Sequence, residues 1–367
     1  MPTVADVLRQ HGGTYLERFG AAMPMEHKQV LMALCACRTG ALGTVVYECV
    51  SCGRTHAMGR SCGNRHCPTC QQGKAKAWLE KQSAQLLPCP YFLLTFTLPA
   101  GLREFVRSHQ RVSYAALFEA SSEAIKQLAA DPKHLGSRRC GFFGVLHTWG
   151  RKLDYHPHVH YVVPGGALSE DGSQWHASRM NFFLPVRALS VLFRAKFREA
   201  LKAAGLYDRV DAAVWDQDWV VHSHPVGDGR ASLKYLAPYV FRVAISDRRI
   251  VSFDDQSVTF SYRKSGSNRW RNMKLEPLEF LRRFLQHVLP SGFQKVRHYG
   301  FLSPNSRLKI EGVRWLIALA KSQLFVLVCQ PQQTPICVPR MRCAECGGLL
   351  RLIDVALPGT NWFFDTS

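Results

Sequence analysis

The 367-residue sequence has no apolar run of about 18 residues, no leader-like start and no basic amphipathic anchor, so nothing in it calls for a membrane. It is poor in acidic residues: 27 Asp and Glu face 47 Lys and Arg, a net charge of +20. Such an excess points to a polyanionic partner, with nucleic acid the natural one. There is no G-x4-G-K-[ST] loop, so the chain carries no evident ATP-driven helicase. Internal repeats, low-complexity blocks and long polar tracts are also missing; with 47% hydrophobic and 20% charged residues the chain reads as globular. Its length exceeds what one ordinary core requires, so two or three modules are expected.

Cysteine is abundant but odd in number, 13 in all, and falls partly in C-x2-C pairs, which suit metal better than disulfides in a reducing compartment. Cys49-x2-Cys52 and Cys67-x2-Cys70 have the layout of a zinc ribbon, each knuckle giving two thiolates to one tetrahedral site. His56, Cys62 and His66 lie in the same loop and are further candidate ligands. Such a site is structural, since four protein ligands leave no open position, and Arg54, Arg60 and Arg65 suggest DNA contact. Cys343 and Cys346 form another knuckle that needs two more ligands, with Cys337 and Cys329 the candidates.

Helices are expected within the first 40 residues up to Gly40, over Lys74–Leu87, over about 101–130, from Val186 to Ala204, over Leu233–Phe241 and over Pro277–Val288. Strands are expected over Tyr91–Leu98, as a hairpin from Gly141–Trp149 and Pro157–Val163, and as a second hairpin from Ile250–Phe253 and Val258–Tyr262.

The most informative stretch is His156-Pro157-His158-Val159-His160-Tyr161-Val162-Val163. Successive strand side chains alternate faces, so His158 and His160 share one face while Val159, Tyr161 and Val163 turn to the other. Paired imidazoles accept a divalent metal, and His147, on the preceding strand, is the expected third ligand; Asp154 and His156 are alternatives. Tyr235 and Tyr239, four residues apart, would present both phenols on one helix face, with Pro238 between them as a kink. A phenol attacks a phosphodiester only when a cation stabilises the developing charge, which the histidine site would supply. Arg263, Lys264, Arg269, Trp270 and Arg271, then Lys295, Arg297, His298 and Tyr299, mix cations with rings as single-stranded DNA grooves do.

In order, the motifs Ser61-Cys62-Gly63-Asn64-Arg65-His66-Cys67-Pro68-Thr69-Cys70-Gln71, Phe96-Thr97-Leu98-Pro99, His147-Thr148-Trp149-Gly150, His156 to His160, Tyr235 to Tyr239, Glu279 to Pro290 and Arg297-His298-Tyr299-Gly300 cover most of the chain. Together they resemble the transposases of IS91-type rolling-circle insertion sequences, members of the HUH endonuclease superfamily. The resemblance implies an α+β fold: an HUH nuclease core of antiparallel sheet flanked by helices (RRM-like or ferredoxin-like), an N-terminal zinc ribbon and a helical, basic C-terminal region. The implied modules are 1–88 (helices and zinc), 89–265 (nuclease core) and 266–367 (basic, DNA-binding, with a second zinc knuckle). It implies structural Zn²⁺, catalytic Mg²⁺ or Mn²⁺ on His158, His160 and His147, and Tyr235 and Tyr239 as nucleophiles forming 5′-phosphotyrosine links. Pro238 departs from the family, where a basic residue is more usual. The implied partners are single-stranded element ends, target DNA and a host replication helicase, in a cytoplasmic, nucleoid-associated setting. A plasmid or phage replication initiator and a non-catalytic zinc-ribbon regulator are the rival readings.

Overall fold

The alternating run Tyr155–Pro164 does form a strand, and it lies in the middle of a five-stranded antiparallel sheet. The computed structural model describes residues 2–358 apart from 72–73, 232, 235–243, 265–266, 268 and 322–340. In chain order its strands are β1 (Thr44–Cys49), β2 (Thr55–Gly59), β3 (Tyr91–Thr97), β4 (Phe142–Trp149), β5 (Tyr155–Pro164), β6 (Gly166–Leu168), β7 (Trp175–Ala177), β8 (Val220–Pro225), β9 (Ile250–Phe253), β10 (Val258–Arg263), β11 (Trp270–Leu275), β12 (Val296–Tyr299) and β13 (Leu350–Ala356). Its helices are α1 (Val4–Phe19), α2 (Met25–Cys35), α3 (Pro68–Gln71), α4 (Lys74–Ala84), α5 (Arg103–Ser108), α6 (Gln110–Ala129), α7 (Val186–Ala203), α8 (Pro277–Leu285) and α9 (Ile310–Ala320). The fold is therefore α+β, with antiparallel sheets flanked by helices.

The central sheet has the order β12-β4-β5-β3-β8. One face carries Phe92, Leu94, Phe96, Leu146, Val159, Tyr161 and Val163, packed against Leu117 and Phe118 of α6 and Phe193 and Phe197 of α7. Tyr161 lies across Gly144 on the neighbouring strand, where a Cβ would come within 2.4 Å of the ring, so only glycine fits there. The opposite face buries Phe143, Val145 and Val162 against Val313 and Ile317 of α9. The histidines lie on this second face.

A separate core joins α1 and α2 to the β9-β10 hairpin and α8, through Val4, Leu8, Leu31 and Leu34 against Ile250, Phe260, Phe280 and Phe284. The N-terminal helices thus pack on segments more than two hundred residues away in sequence.

Several expected elements shift. The helix ahead of Gly40 ends at Cys35, and the one from Lys74 ends at Ala84. The basic segments at 270–275 and 296–299 are strands, not loops: β11 extends the β9-β10 hairpin, and β12 joins the central sheet beside β4. β13 pairs with β1. Divisions at 88/89 and 265/266 therefore cut across sheets and cores instead of separating contiguous modules. The expected helix at 233–241 falls almost wholly outside the described residues. Among the described residues no helix is long and apolar enough to cross a membrane.

His287, just past α8, is fully enclosed: its Nε2–H donates to the Leu153 carbonyl at 3.3 Å, and its Nδ1 lies 3.2 Å from Thr148 Oγ1. Burial holds its pKa down to about 4. The unfolded chain, with an ordinary histidine value near 6.5, then binds the extra proton between those two values, so stability is full above about pH 6.5 and falls toward pH 4. Thermal midpoints across that window are expected to drop in the wild type, and more shallowly in His287→Gln. Identical slopes would contradict the assignment.

Candidate functional site

The register of β4, β5 and β3 brings the histidines together. His147 stands opposite His158 across β4-β5, and His160 stands opposite Thr95 across β3-β5. Directly opposed residues share a face, so His147, His158, His160, Thr95 and Thr97 all look the same way. One nitrogen from each of the three histidines lies within 4.8 Å of the others, and the three rings are 1%, 9% and 8% exposed. Of His147, Asp154 and His156, the three candidates for third ligand, His147 is the one whose nitrogen lies with the pair. His156 shares the face, but its Nδ1 accepts a hydrogen bond from the Arg103 guanidinium at 3.0 Å.

The second layer sets the tautomers. His158 Nδ1–H donates to the His156 carbonyl at 2.6 Å, which leaves Nε2 unprotonated and facing the cluster. His160 Nδ1 lies 2.8 Å from Thr95 Oγ1. Burial lowers the pKa of His158 to about 4 and that of His160 well below the usual value, with His158 itself adding to the latter. Both are neutral at physiological pH, the state that coordinates a cation. Three imidazoles do not fill a coordination sphere, so a metal held here would keep positions open for substrate. Thr95 and Arg103 were missed by sequence reasoning. Thr95 had a signal: polar residues recur at alternate positions, 95 and 97, of an otherwise apolar strand.

The cysteines form two clusters, as the second knuckle at Cys343 and Cys346 suggested, but with other partners than expected. Cys67 and Cys70 join Cys62 and Cys37, while Cys49 and Cys52 join Cys343 and Cys346. In the first cluster, Sγ–Sγ separations are 3.6 Å for Cys37–Cys70, 3.6 Å for Cys62–Cys70 and 3.8 Å for Cys37–Cys67. Tetrahedral thiolates about 2.3 Å from a zinc ion have edges of about 3.8 Å, so this donor set fits zinc. The pairing of Cys49 and Cys52 with Cys67 and Cys70 is thus corrected: β1-β2 turns the first pair away from the loop that carries the second. Cys37, overlooked in the sequence, lies just past α2. Cys329 and Cys337 lie outside the described residues, as do Tyr235 and Tyr239.

His66 is not a member of either cluster; buried, it accepts the Leu289 N–H at its Nε2 (3.4 Å), and burial lowers its pKa to about 3. Arg65 donates to the carbonyls of Phe293 (2.6 Å), Pro290 (2.7 Å) and Leu289 (3.3 Å), a clasp between the thiolate loop and the segment after α8 in place of the expected DNA contact. Arg297 lies 4.5 Å over the Phe118 ring and 5.3 Å over Phe293, and the half-buried Lys295 lies 4.7 Å over Trp149. Both cations are half-buried against rings, Arg297 within β12 and Lys295 just before it, because β12 is a strand of the central sheet. Arg263, Lys264, Arg269, Trp270 and Arg271, in contrast, are exposed on the β10-β11 arm, with Arg263 5.5 Å over Trp270.

Comparison with known proteins agrees with this layout. Residues 141–309 match a family described as "Putative transposase", and residues 7–98 match "Transposase zinc-binding domain". The chain is 40% identical over 326 residues, 83% of its length and 81% of the relative, to "Putative transposase y4qJ" of Sinorhizobium fredii. It is 28% identical over 301 residues, 75% of its length and 70% of the relative, to "Transposase for insertion sequence element IS801" of Pseudomonas savastanoi pv. phaseolicola. No solved structure matches. These matches make the chain a DNA-processing transposase with a zinc-binding domain. The chain belongs to the IS91-type family of insertion-sequence transposases.

If Arg65 acts as an internal clasp, Arg65→Gln should cost about 1–3 kcal/mol of stability, the worth of hydrogen bonds from a charged donor, while leaving DNA affinity within about twofold. Chemical denaturation and fluorescence anisotropy measure the two quantities. A stable variant with severely weakened DNA binding would return Arg65 to the DNA surface.

Proposed function

We propose that this transposase nicks single-stranded DNA at the ends of its element through a tyrosine nucleophile and transfers the strand to a target in rolling-circle transposition. The observation that carries the reading is the buried triad of His147, His158 and His160 in a basic chain. It is a three-imidazole site with open positions, where oxygen ligands from water and a phosphodiester would complete the sphere of a divalent ion, as an HUH nuclease core requires. Bound Mg²⁺ or Mn²⁺ would polarise the scissile phosphodiester.

In the first step the phenol oxygen of Tyr235 or Tyr239 bonds to phosphorus and the phosphorus–O3′ bond breaks. The departing 3′ oxygen takes up a proton, the phenol gives one up, and a 5′-phosphotyrosine remains. A 3′-hydroxyl of the recipient strand then attacks the same phosphorus and releases the tyrosine. Two tyrosines would allow donor and target strands to be held in turn. Leu233 belongs to the same apolar cluster as Val145 and Val162, residues of the strands that carry the triad. His158 Nδ1–H to the His156 carbonyl keeps the ligand nitrogen aimed, and Arg103, held on His156, is the cation we assign to the scissile phosphate. With no nucleotide-binding loop of its own, the chain would rely on a host replication helicase to displace the strand.

Covalent adducts with an oligonucleotide of the element end, resolved on denaturing gels, test the proposal. The wild type should form them only with divalent cation. His158→Ala and His160→Ala should lower the yield at least about a hundredfold, while Thr95→Val lowers cation affinity about tenfold. Adducts persisting in the double variant Tyr235→Phe, Tyr239→Phe would sink the mechanism.

The exposed β10-β11 arm is the proposed single-strand contact, Trp270 stacking on a base and Arg263, Lys264, Arg269 and Arg271 meeting phosphates. Replacing Arg263 and Arg271 by Gln should weaken single-strand binding and lower the slope of log K against log salt by about 1.4, since each lost phosphate contact removes about 0.7. An unchanged slope would exclude the arm.

A further inference from the structure

Cys49, Cys52, Cys343 and Cys346 bring their sulfurs within 4.8 Å of one another although the two pairs stand at opposite ends of the chain. Cys49 and Cys346 are 3.4 Å apart and Cys52 and Cys343 3.9 Å, near the edge of about 3.8 Å that a zinc tetrathiolate needs.

The two knuckles are built alike. Each is C-x2-C-G: Cys49-Val50-Ser51-Cys52-Gly53 and Cys343-Ala344-Glu345-Cys346-Gly347. The glycine after the second cysteine is left-handed in both, with φ of 70° and 73°. Gly53 N–H donates to the Cys49 carbonyl at 2.9 Å, and Gly347 N–H donates to the Cys343 carbonyl at 3.0 Å. Cys49 N–H donates to the Arg54 carbonyl and Cys343 N–H to the Gly348 carbonyl, both at 2.8 Å. Paired knuckles of one geometry, facing each other, are how a zinc ribbon encloses its ion. His56 Nε2 lies 3.2 Å from Cys343 Sγ, placed to donate to a thiolate, and Arg54 pairs with Glu345 at 3.1 Å across the two knuckles.

The sheet around them needs such a clasp. In the order β13-β1-β2, few side chains are buried, Val46, Cys49 and Ala356 among them, while Leu352, Ile353 and Val355 of β13 are 52%, 45% and 44% exposed. So little apolar burial cannot hold a strand recruited from nearly three hundred residues away, and small sheets without a core are ordinarily stapled.

We infer that Cys49, Cys52, Cys343 and Cys346 form a second structural zinc site, a ribbon split between the two ends of the chain, whose ion docks β13 onto β1. The Cys37, Cys62, Cys67 and Cys70 cluster is then a separate zinc site, and the full chain holds two ions. The site is independent of the nicking chemistry.

Metal content of the full-length protein purified under reductant, read by mass spectrometry, should fall from two zinc ions per chain to one in Cys343→Ser, Cys346→Ser, with the Cys37 cluster still loaded. Unchanged content would return Cys49 and Cys52 to another partner set and overturn the inference. Should the variant fold poorly, the wild type alone decides: stepwise chelation should release two ions, expose thiols to a colorimetric thiol reagent without added reductant, and raise amide exchange in β1 and β13 together. Thiols that stay unreactive after chelation indicate disulfides and overturn it, as does exchange that rises in neither strand.

Discussion

The pleat of one central strand is the constraint on which the rest of the molecule depends. Because helices α6 and α7 cover one face of the sheet and α9 packs on the other, neither face of β5 meets water freely, and its alternate residues must satisfy two different interiors. Val159, Tyr161 and Val163 supply the apolar one beneath α6 and α7. His158 and His160 occupy the other, where isolated polar side chains would be costly unless hydrogen-bonded or ligating. The shift of a single residue in register would exchange these faces, burying imidazoles among Phe96, Phe118 and Phe193 and exposing valines at the site. Packing on one face therefore fixes the chemistry on the other.

What could be read in advance follows from this. The 156–163 alternation, the partner strand through His147 and the helices before and after it are local patterns, and local patterns were legible. The metal pairing of the cysteines was not, because spacing along the chain tells which two thiols share a knuckle but not which knuckles meet. The glycine that follows Cys52 and Cys346, and is absent after Cys70, did distinguish the two knuckle types; its meaning emerges only once left-handed backbone at both positions is seen. The basic residues failed in the same way. Arg65, Lys295 and Arg297 look like a DNA surface in the sequence, yet their neighbours are carbonyls and aromatic rings, while Arg263 to Arg271 lie on a two-sided hairpin arm that leaves them in solvent.

The interleaving of the chain has an energetic reason. α1 and α2 present a single apolar stripe each and cannot bury it alone; β9-β10 and α8 have the same need, and the two sets satisfy one another. β12 similarly covers an edge of the central sheet that would otherwise present unpaired backbone groups. Segments distant in sequence thus close each other's open surfaces, and contiguous modules give way to shared cores.

The same logic separates the metal sites by chemistry. Thiolates are soft donors, and four of them complete a tetrahedron, so a cysteine cluster can hold structure but offers no place for a phosphate to bind. Three imidazoles leave positions open, so a divalent ion held there would still need oxygen ligands, which water or a phosphodiester would bring. The strands that carry His147, His158 and His160 belong to the best-packed sheet of the molecule, whereas the cysteine clusters lie on loops and on a sheet with little core of its own. On the proposed function, the rigid scaffold lies where geometry must be held for reaction, and metal cross-links would lie where burial is too small to hold the chain.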